Sequence, residues 1–395
     1  MRVAAARPIS ASDLQATVGE VLDRRLQPAH ARPIAVALSG GGDSLALLLM
    51  ADAWAKRAGR TLVVLTVDHR LKPASASWTA ACAATAARLG LAFQALSWEG
   101  DKPATGLPAA ARDARHRLLA DAAREAGARV ILVGHTADDG REAARMRETG
   151  STTPSPREWS PSPVWPEGRG LFLLRPLLAL GRADLRAWLT ARGETWIDDP
   201  ANADLTYARP RARQELAGRS GETPAPAELP ADLARACEAD DAGVSALPRA
   251  ALRAAAPDLA RRFVASACLC AGGGARPPAQ ARAERLTARL GGDEDFVSTL
   301  AGARITADAT RLRFAREPGE AARGGLKPLR LAVGQTAVWD GRFEVSAHRT
   351  VEVRAGRRGE PVAVGDDGEP AQLRAVFLGL ERLHAACGVV EREPA

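Results

Sequence analysis

Residues 34–44, IAVALSGGGDS, decide how the first half of the chain is read. Ile34 to Leu38 is an unbroken apolar run, the pattern of a parallel strand buried on both faces. From Leu45 to Gly59 apolar residues recur at helical spacing. Between strand and helix lie Ser39, Gly40, Gly41, Gly42, Asp43 and Ser44. Glycines let backbone N–H groups approach an oxyanion, and the dipole of the following helix favours negative charge there. Two common phosphate loops are excluded. A Walker loop closes on Gly-Lys-Ser/Thr, and this turn has no lysine. A dinucleotide fingerprint needs glycine where Leu45 stands.

What remains, SGGxDS, resembles the PP-loop of the N-type ATP pyrophosphatases, which implies a grip on the pyrophosphate part of ATP. Working outward, strands are expected at 34–38, 61–67, 91–97 and 129–134. Helices are expected at about 44–58, 75–89, 108–126 and from 138. That alternation predicts an α/β fold, a doubly wound parallel sheet. Residues 150–170, dense in Ser, Pro and Gly, predict a long surface loop, a candidate lid. A helix over 182–192 follows. Linkers near 217–230 and 317–328 then divide the chain into 1–216, a mainly helical 217–320 ending in a hairpin with its turn at Asp308, and a strand-rich 321–395. Asp340-Gly341 is a hairpin turn signal in that last part.

The length of 395 residues allows two or three cores. A net charge of +7 suits a polyanionic partner such as nucleic acid. Five scattered cysteines with no CxxC read as reduced thiols, and the histidines have no zinc-ligand spacing. No run has the apolar length of a membrane span, and Arg2 and Arg7 precede no h-region. A cytoplasmic protein without a membrane partner is expected.

Ligands of such sheets bind beyond the C-terminal strand ends, where strand order reverses. If the first strand adjoins the fourth, three strand ends deliver Ser39 to Ser44, Asp68-His69 and His135 with Asp138, Asp139 and Glu142 to one rim. Asp43 and Asp138 are candidate Mg²⁺ ligands beside a triphosphate. The Asp138-Asp139 pair could equally cap the next helix. Arg112 and Arg115, at i and i+3, share a face able to hold phosphate, or are a solvated face. Tyr207 could stack on a base, and Arg209, Arg211 and Arg213, alternating in an extended segment, could track a phosphate backbone.

Taken together, SGGGDS (39–44), DHRLKPASASW (68–78), AAARDARHRLL (109–119), GHTADDGREA (134–143), RPLL (175–178) and WIDDPANADLTYARPRAR (196–213) resemble the tRNA(Ile)-lysidine synthetase family. The family usually has His-His at 135–136, Gln at 140, Thr at 143, Gly-Leu-Arg at 70–72 and Tyr at 116. This chain has His135-Thr136, Gly140, Ala143, Arg70-Leu71-Lys72 and His116. The resemblance implies an adenine nucleotide alpha-hydrolase-like domain, a helical linker and tRNA-binding domain, and a small strand-rich C-terminal domain. It implies that ATP, with Mg²⁺, activates C2 of the wobble cytidine, position 34, of a CAU-anticodon tRNA(Ile). Free L-lysine then displaces AMP. Ser39 to Ser44, Asp68 and His135 would bind ATP, Asp138, Asp139, Arg112 and Arg115 would be catalytic, and Tyr207, Arg209, Arg211 and Arg213 would bind tRNA. Two rivals keep the fold: a tRNA-thiolating enzyme, which needs reactive cysteines, and a small-molecule ATP-dependent synthetase. A third is an RNA-binding protein without catalysis.

Overall fold

The computed structural model describes residues 10–151, 153–199, 204–206, 208–217 and 225–394. Two units are present, 1–227 with 391–395, and 228–390.

The first unit is built as the alternation requires. It contains α1 (Ala11–Arg25), β1 (Ile34–Ala37), α2 (Gly42–Ala58), β2 (Leu62–Asp68), α3 (Ser75–Leu89) and β3 (Ala92–Ser97). These are followed by α4 (Leu107–Glu125), β4 (Val130–Leu132), α5 (Ala137–Glu148), β5 (Trp159–Pro161), β6 (Phe172–Leu174), α6 (Arg182–Ala191) and α7 (Ala208–Leu216). The sheet order is β3-β2-β1-β4-β6-β5. β1 pairs in parallel with both β2 and β4, so the reversal of strand order falls between β1 and β4, as the rim argument needs. β1 and β4 are buried throughout or nearly so, which explains their unbroken apolar letters. One face of the sheet packs α2 side chains such as Leu47, Leu48 and Trp54 with Leu185 and Trp188 of α6. The other packs Leu119, Ala120 and Ala123 of α4 on Leu65, Ile131 and Leu173.

Two expectations are corrected. Residues 150–170 are not loop throughout: β5 pairs antiparallel with β6, and Trp159 stacks on Phe172 with ring centroids 4.8 Å apart. β5 is the sheet edge, where Pro161 loses no ladder donor, so its Pro-rich composition disguised it. The segment carrying Arg209, Arg211 and Arg213 is not extended but helix α7. Pro210 lies in the first helical turn, where a missing N–H costs nothing, and Ala, Arg, Gln, Glu and Leu after it favour helix. Tyr207, residues 200–203 and linker residues 218–224 lie outside the described residues.

The chain returns to this first unit at its far end. Arg60 and Glu393, both fully buried, form a two-point ion pair at 2.8 and 2.8 Å. Gln27 N donates to the same carboxylate at 3.0 Å.

The second unit holds an antiparallel sheet of Glu238–Ala239, Ser245–Pro248, Arg311–Arg316, Ala303–Ala307 and Phe296–Leu300 against helix Pro257–Gly272. The strands at 238–248 interrupt what the Ala-rich letters predict as helix. The turn at Asp308 is present: Oδ1 accepts from Thr310 N at 2.9 Å and Arg311 N at 2.8 Å. So is the turn at Asp340-Gly341, which lets Trp339 pair with Phe343.

Candidate active site

The glycine turn leaves β1 and enters α2 at Gly42. Gly40 has φ +81°, and a Cβ there would lie 2.5 Å from Ile197 Cδ1. Both the conformation and the space demand glycine. Ile197 N donates to Gly40 O at 2.9 Å, so the 196–197 segment braces the turn. Ser44 Oγ lies 3.1 Å from Ser39 Oγ and donates to Gly41 O at 2.9 Å, closing the loop on itself. The first-turn amides of α2 have no intrahelical acceptor and head an anion site. Gly134, after β4, passes so near α2 that a Cβ would sit 3.1 Å from Asp43 C and Ser44 Cα. The rim residues of β4 are thereby brought onto the phosphate turn.

A carboxylate group lies beside it. Arg182, opening α6, places Nε 3.0 Å from Asp43 Oδ2, Nη1 3.1 Å from Glu142 Oε1 and Nη2 3.6 Å from Asp139 Oδ1. Asp139 Oδ2 accepts from Thr136 N at 2.8 Å and Thr136 Oγ1 at 3.1 Å, so fully buried Thr136 anchors that carboxylate. Glu142, 2 % exposed, also meets Arg213 Nε at 2.8 Å and Arg209 Nε at 3.4 Å. Arg209 and Arg213 are four apart on α7 and share the face turned to α5. Arg211 points elsewhere, donating to the carbonyls of Leu205 and Thr206 at 2.9 and 2.7 Å. Asp138 is spent: Oδ1 accepts from Arg141 at 2.7 Å and Oδ2 from Arg182 N at 2.8 Å. Asp43 Oδ1 is buried with no hydrogen-bond partner. Burial pushes the Asp43 carboxyl up, against the pull of Arg182. Burial opposes the charge of Arg182, yet Asp139, Glu142 and Asp43 together hold its pKa above the ordinary value.

On the other side the charge is reversed. Arg112 and Arg115 on α4 share a field with Arg175 after β6 and with Arg209. Burial and its neighbours Arg112 and Arg209 bring Arg115 down to about 10, and burial with Arg112 and Arg115 does the same to Arg175. His116, 3 % exposed, is driven down to about 2 by burial and by Arg115, Arg112 and Arg175. His135 is held well below its usual value by burial, then by Arg175, Arg115, Arg209 and Arg112. A bound polyphosphate would relieve this crowding of like charge.

Most of the expected residues therefore meet. Asp68 Oδ1 accepts from Arg70 N at 2.7 Å, and among the described residues Asp68 makes no ion pair with the rest of the group. Sequence reasoning missed Arg182, Arg175 and the 196–197 brace. Arg182 had one signal: a cation in the first turn of a helix, where the dipole favours an anion.

A family model described as a PP-loop domain matches residues 13–219. The chain is 51 % identical over 362 residues to the tRNA(Ile)-lysidine synthase of Caulobacter vibrioides, covering 91 % of this chain and 83 % of that one. This chain belongs to the tRNA(Ile)-lysidine synthase family. Its likeness to the members from Rhizobium meliloti is 37 % (80 % of this chain, 73 % of that one) and from Hyphomonas neptunium 35 % (78 % and 88 %). Among the described residues no helix is long and apolar enough to cross a membrane, and no three His, Cys, Asp or Glu side chains are arranged to hold a metal.

Proposed function

We propose that this chain joins lysine to C2 of the wobble cytidine of a CAU-anticodon tRNA(Ile), at the expense of ATP, in the cytoplasm. The observation that carries the reading is the divided site: an anion cradle and a crowd of arginines that lower one another's pKa on one side, a buried carboxylate group on the other. The α2 amides, Ser39, Ser44 and His135 hold the triphosphate, with Arg112 and Arg115 facing its charge. The cytidine C2 oxygen attacks the α-phosphorus, and pyrophosphate leaves. The neutral ε-amine of lysine then attacks C2, the C2–O bond breaks, AMP departs with the electron pair, and one proton is lost. Holding amine and adenylate together supplies most of the acceleration. Asp138, held by Arg141 and the α6 backbone, and Glu142, held by Arg182, Arg209 and Arg213, are the two carboxylates in reach of the ammonium, and one of them must exchange a partner to take its proton.

The residues suit one magnesium ion. Unpartnered Asp43 Oδ1 is a free oxygen ligand at the phosphate turn, and Mg²⁺ commonly takes one or two carboxylates plus substrate phosphates. When bound it would offset phosphate charge; Asp138, with both oxygens engaged, fits this part less well than the sequence suggests.

An RNA partner is supported in both units. Arg209 and Arg213 present guanidinium groups at the site mouth, each 36 % exposed. In the second unit Arg282, Arg285 and Arg289 follow one another at i, i+3 and i+7 on helix Gln280–Gly291 and line a groove with Arg323. Thiolation is disfavoured because every cysteine is buried. Cys82 lies under the phosphate turn, where burial raises its thiol pKa. The test is mass spectrometry of nucleosides from CAU-bearing tRNA after incubation with enzyme, ATP, Mg²⁺ and lysine. A lysine adduct on cytidine with stoichiometric AMP is expected; unmodified cytidine, or a sulfur adduct when a sulfur donor replaces lysine, refutes the reading.

A further inference from the structure

Arg175 sits at the end of β6 and is 6 % exposed. Its Nε donates to His135 Nδ1 at 2.9 Å. Its Nη1 donates to Arg157 O at 2.7 Å and to Ser160 Oγ at 3.0 Å, and its own backbone N donates to Glu158 O at 2.8 Å. The edge strand β5 and the residues before it therefore pin the guanidinium, which cannot swing away from the histidine without losing those bonds.

The consequence for the imidazole is definite. A guanidinium has donors only and does not lose its proton, so Nδ1 must offer a lone pair. The remaining ring proton is then on Nε2. A second proton on the ring would set N–H against N–H and cation against cation. The arginines that face the ring add to that opposition, Arg112 and Arg115 from α4, Arg209 from α7 and Arg175 from the β6 end, with neutral His116 from α4 beside them, while Asp139 of α5 acts on Arg115 and Arg175 in the opposite sense.

We propose that Arg175 is a positioning residue that locks His135 into a single tautomer, Nδ1 accepting and Nε2–H presented as the one donor to a phosphate oxygen of the nucleotide. This rests on the reading of the rim as the ATP site. It also assigns work to the segment around Ser160: holding Arg175, and through it the orientation of a ring on the far side of β6.

The experiment is nitrogen-15 spectroscopy of the full-length enzyme labelled at histidine, with the His135 signals assigned by loss in His135→Gln. In the free wild-type enzyme His135 shows one protonated and one unprotonated ring nitrogen, unchanged from about pH 8 to about pH 5.5. In Arg175→Met the ring exchanges between tautomers, and its pKa rises, although burial, Arg115, Arg209 and Arg112 still hold it below the ordinary value. The KM for ATP then rises about three- to tenfold at pH 8, the worth of one oriented hydrogen bond. It recovers in part on acidification, as the fraction of imidazolium, which again carries Nε2–H, grows. The ratio of variant to wild-type KM cancels the titration of ATP itself. Arg175→Lys, which keeps a cationic donor of similar reach, restores the pH-independent spectrum. An ordinary titration of His135 in the wild-type enzyme, or an Arg175→Met spectrum like wild type, overturns the lock. If ATP leaves the wild-type His135 signals unmoved, it is the placement of the nucleotide that fails, and the role given to Arg175 falls with it.

Discussion

Replacing Arg182 by Ala removes one guanidinium from three carboxylates, and the structure says which of them suffers. Glu142 keeps Arg209 and Arg213, and Asp139 keeps the Thr136 donors. Asp43 keeps no hydrogen-bond partner, only the charge of Arg186, for Oδ2 loses its partner at 3.0 Å and Oδ1 already has none. Removing one partner of a fully buried pair costs about 3–5 kcal/mol. Here the two side chains are 15 % and 22 % exposed. Water screens part of the field, and about 2–3 kcal/mol is expected. For a unit of this size that lowers the thermal midpoint by about 4–12 °C. The pH dependence has a definite sign. Burial already raises the Asp43 carboxyl, and loss of Arg182 raises it further. A carboxyl whose folded pKa exceeds its unfolded value weakens the fold while ionised, and ceases to do so as pH falls through the folded value. The loss is therefore largest near pH 8 and shrinks towards pH 5. Scanning fluorimetry across that range reads it directly. Adding Asp43→Asn removes the stranded charge and recovers part of the midpoint, although activity stays lost. An unchanged midpoint at pH 8, a loss that grows on acidification, or a double variant weaker than the single one at pH 8 refutes the reasoning.

Three further outcomes are expected. Gly40→Ala strains a φ of +81° and drives a methyl into Ile197, so ATP-dependent AMP release with cognate tRNA falls to background while circular dichroism stays that of a folded protein; normal AMP release would contradict the role of the turn. Glu393→Ala strips the fully buried Arg60 of its counterion and costs about 3–5 kcal/mol by denaturant unfolding, whereas Arg60→Met with Glu393→Met costs less than Glu393→Ala alone. Arg213→Ala weakens tRNA binding and lowers the slope of log affinity against log salt by about one unit, while Arg211→Ala, on the other face of α7, changes neither; equal effects would mean that α7 does not present its faces as described.

What was legible in the letters is what local chemistry dictates. The SGGGDS turn is a short-range object: its glycines, its serines and the helix it opens lie within a few residues of one another, and so do the turns at Asp308 and Asp340-Gly341. Parallel strands buried on both faces announce themselves by unbroken apolar runs, so β1, β2 and β4 were readable and with them the rim. Weaker signals misled where context outweighed composition. β5 is an edge strand that tolerates proline, and α7 begins on a proline that its first turn does not need to bond.

The sequence by itself determined the class of sheet, the phosphate turn and the kind of residue delivered to each strand end, because those follow from periodicity of two or 3.6 residues and from the conformational freedom of glycine. Only the tertiary structure decided which charges face which. Arg182 reaches Asp43 across 139 positions, Arg175 reaches His135 across 40, and Arg60 reaches Glu393 across 333. Such pairs leave no spacing to read, since the free energy that joins them depends on distance and burial in the folded molecule and not on separation along the chain.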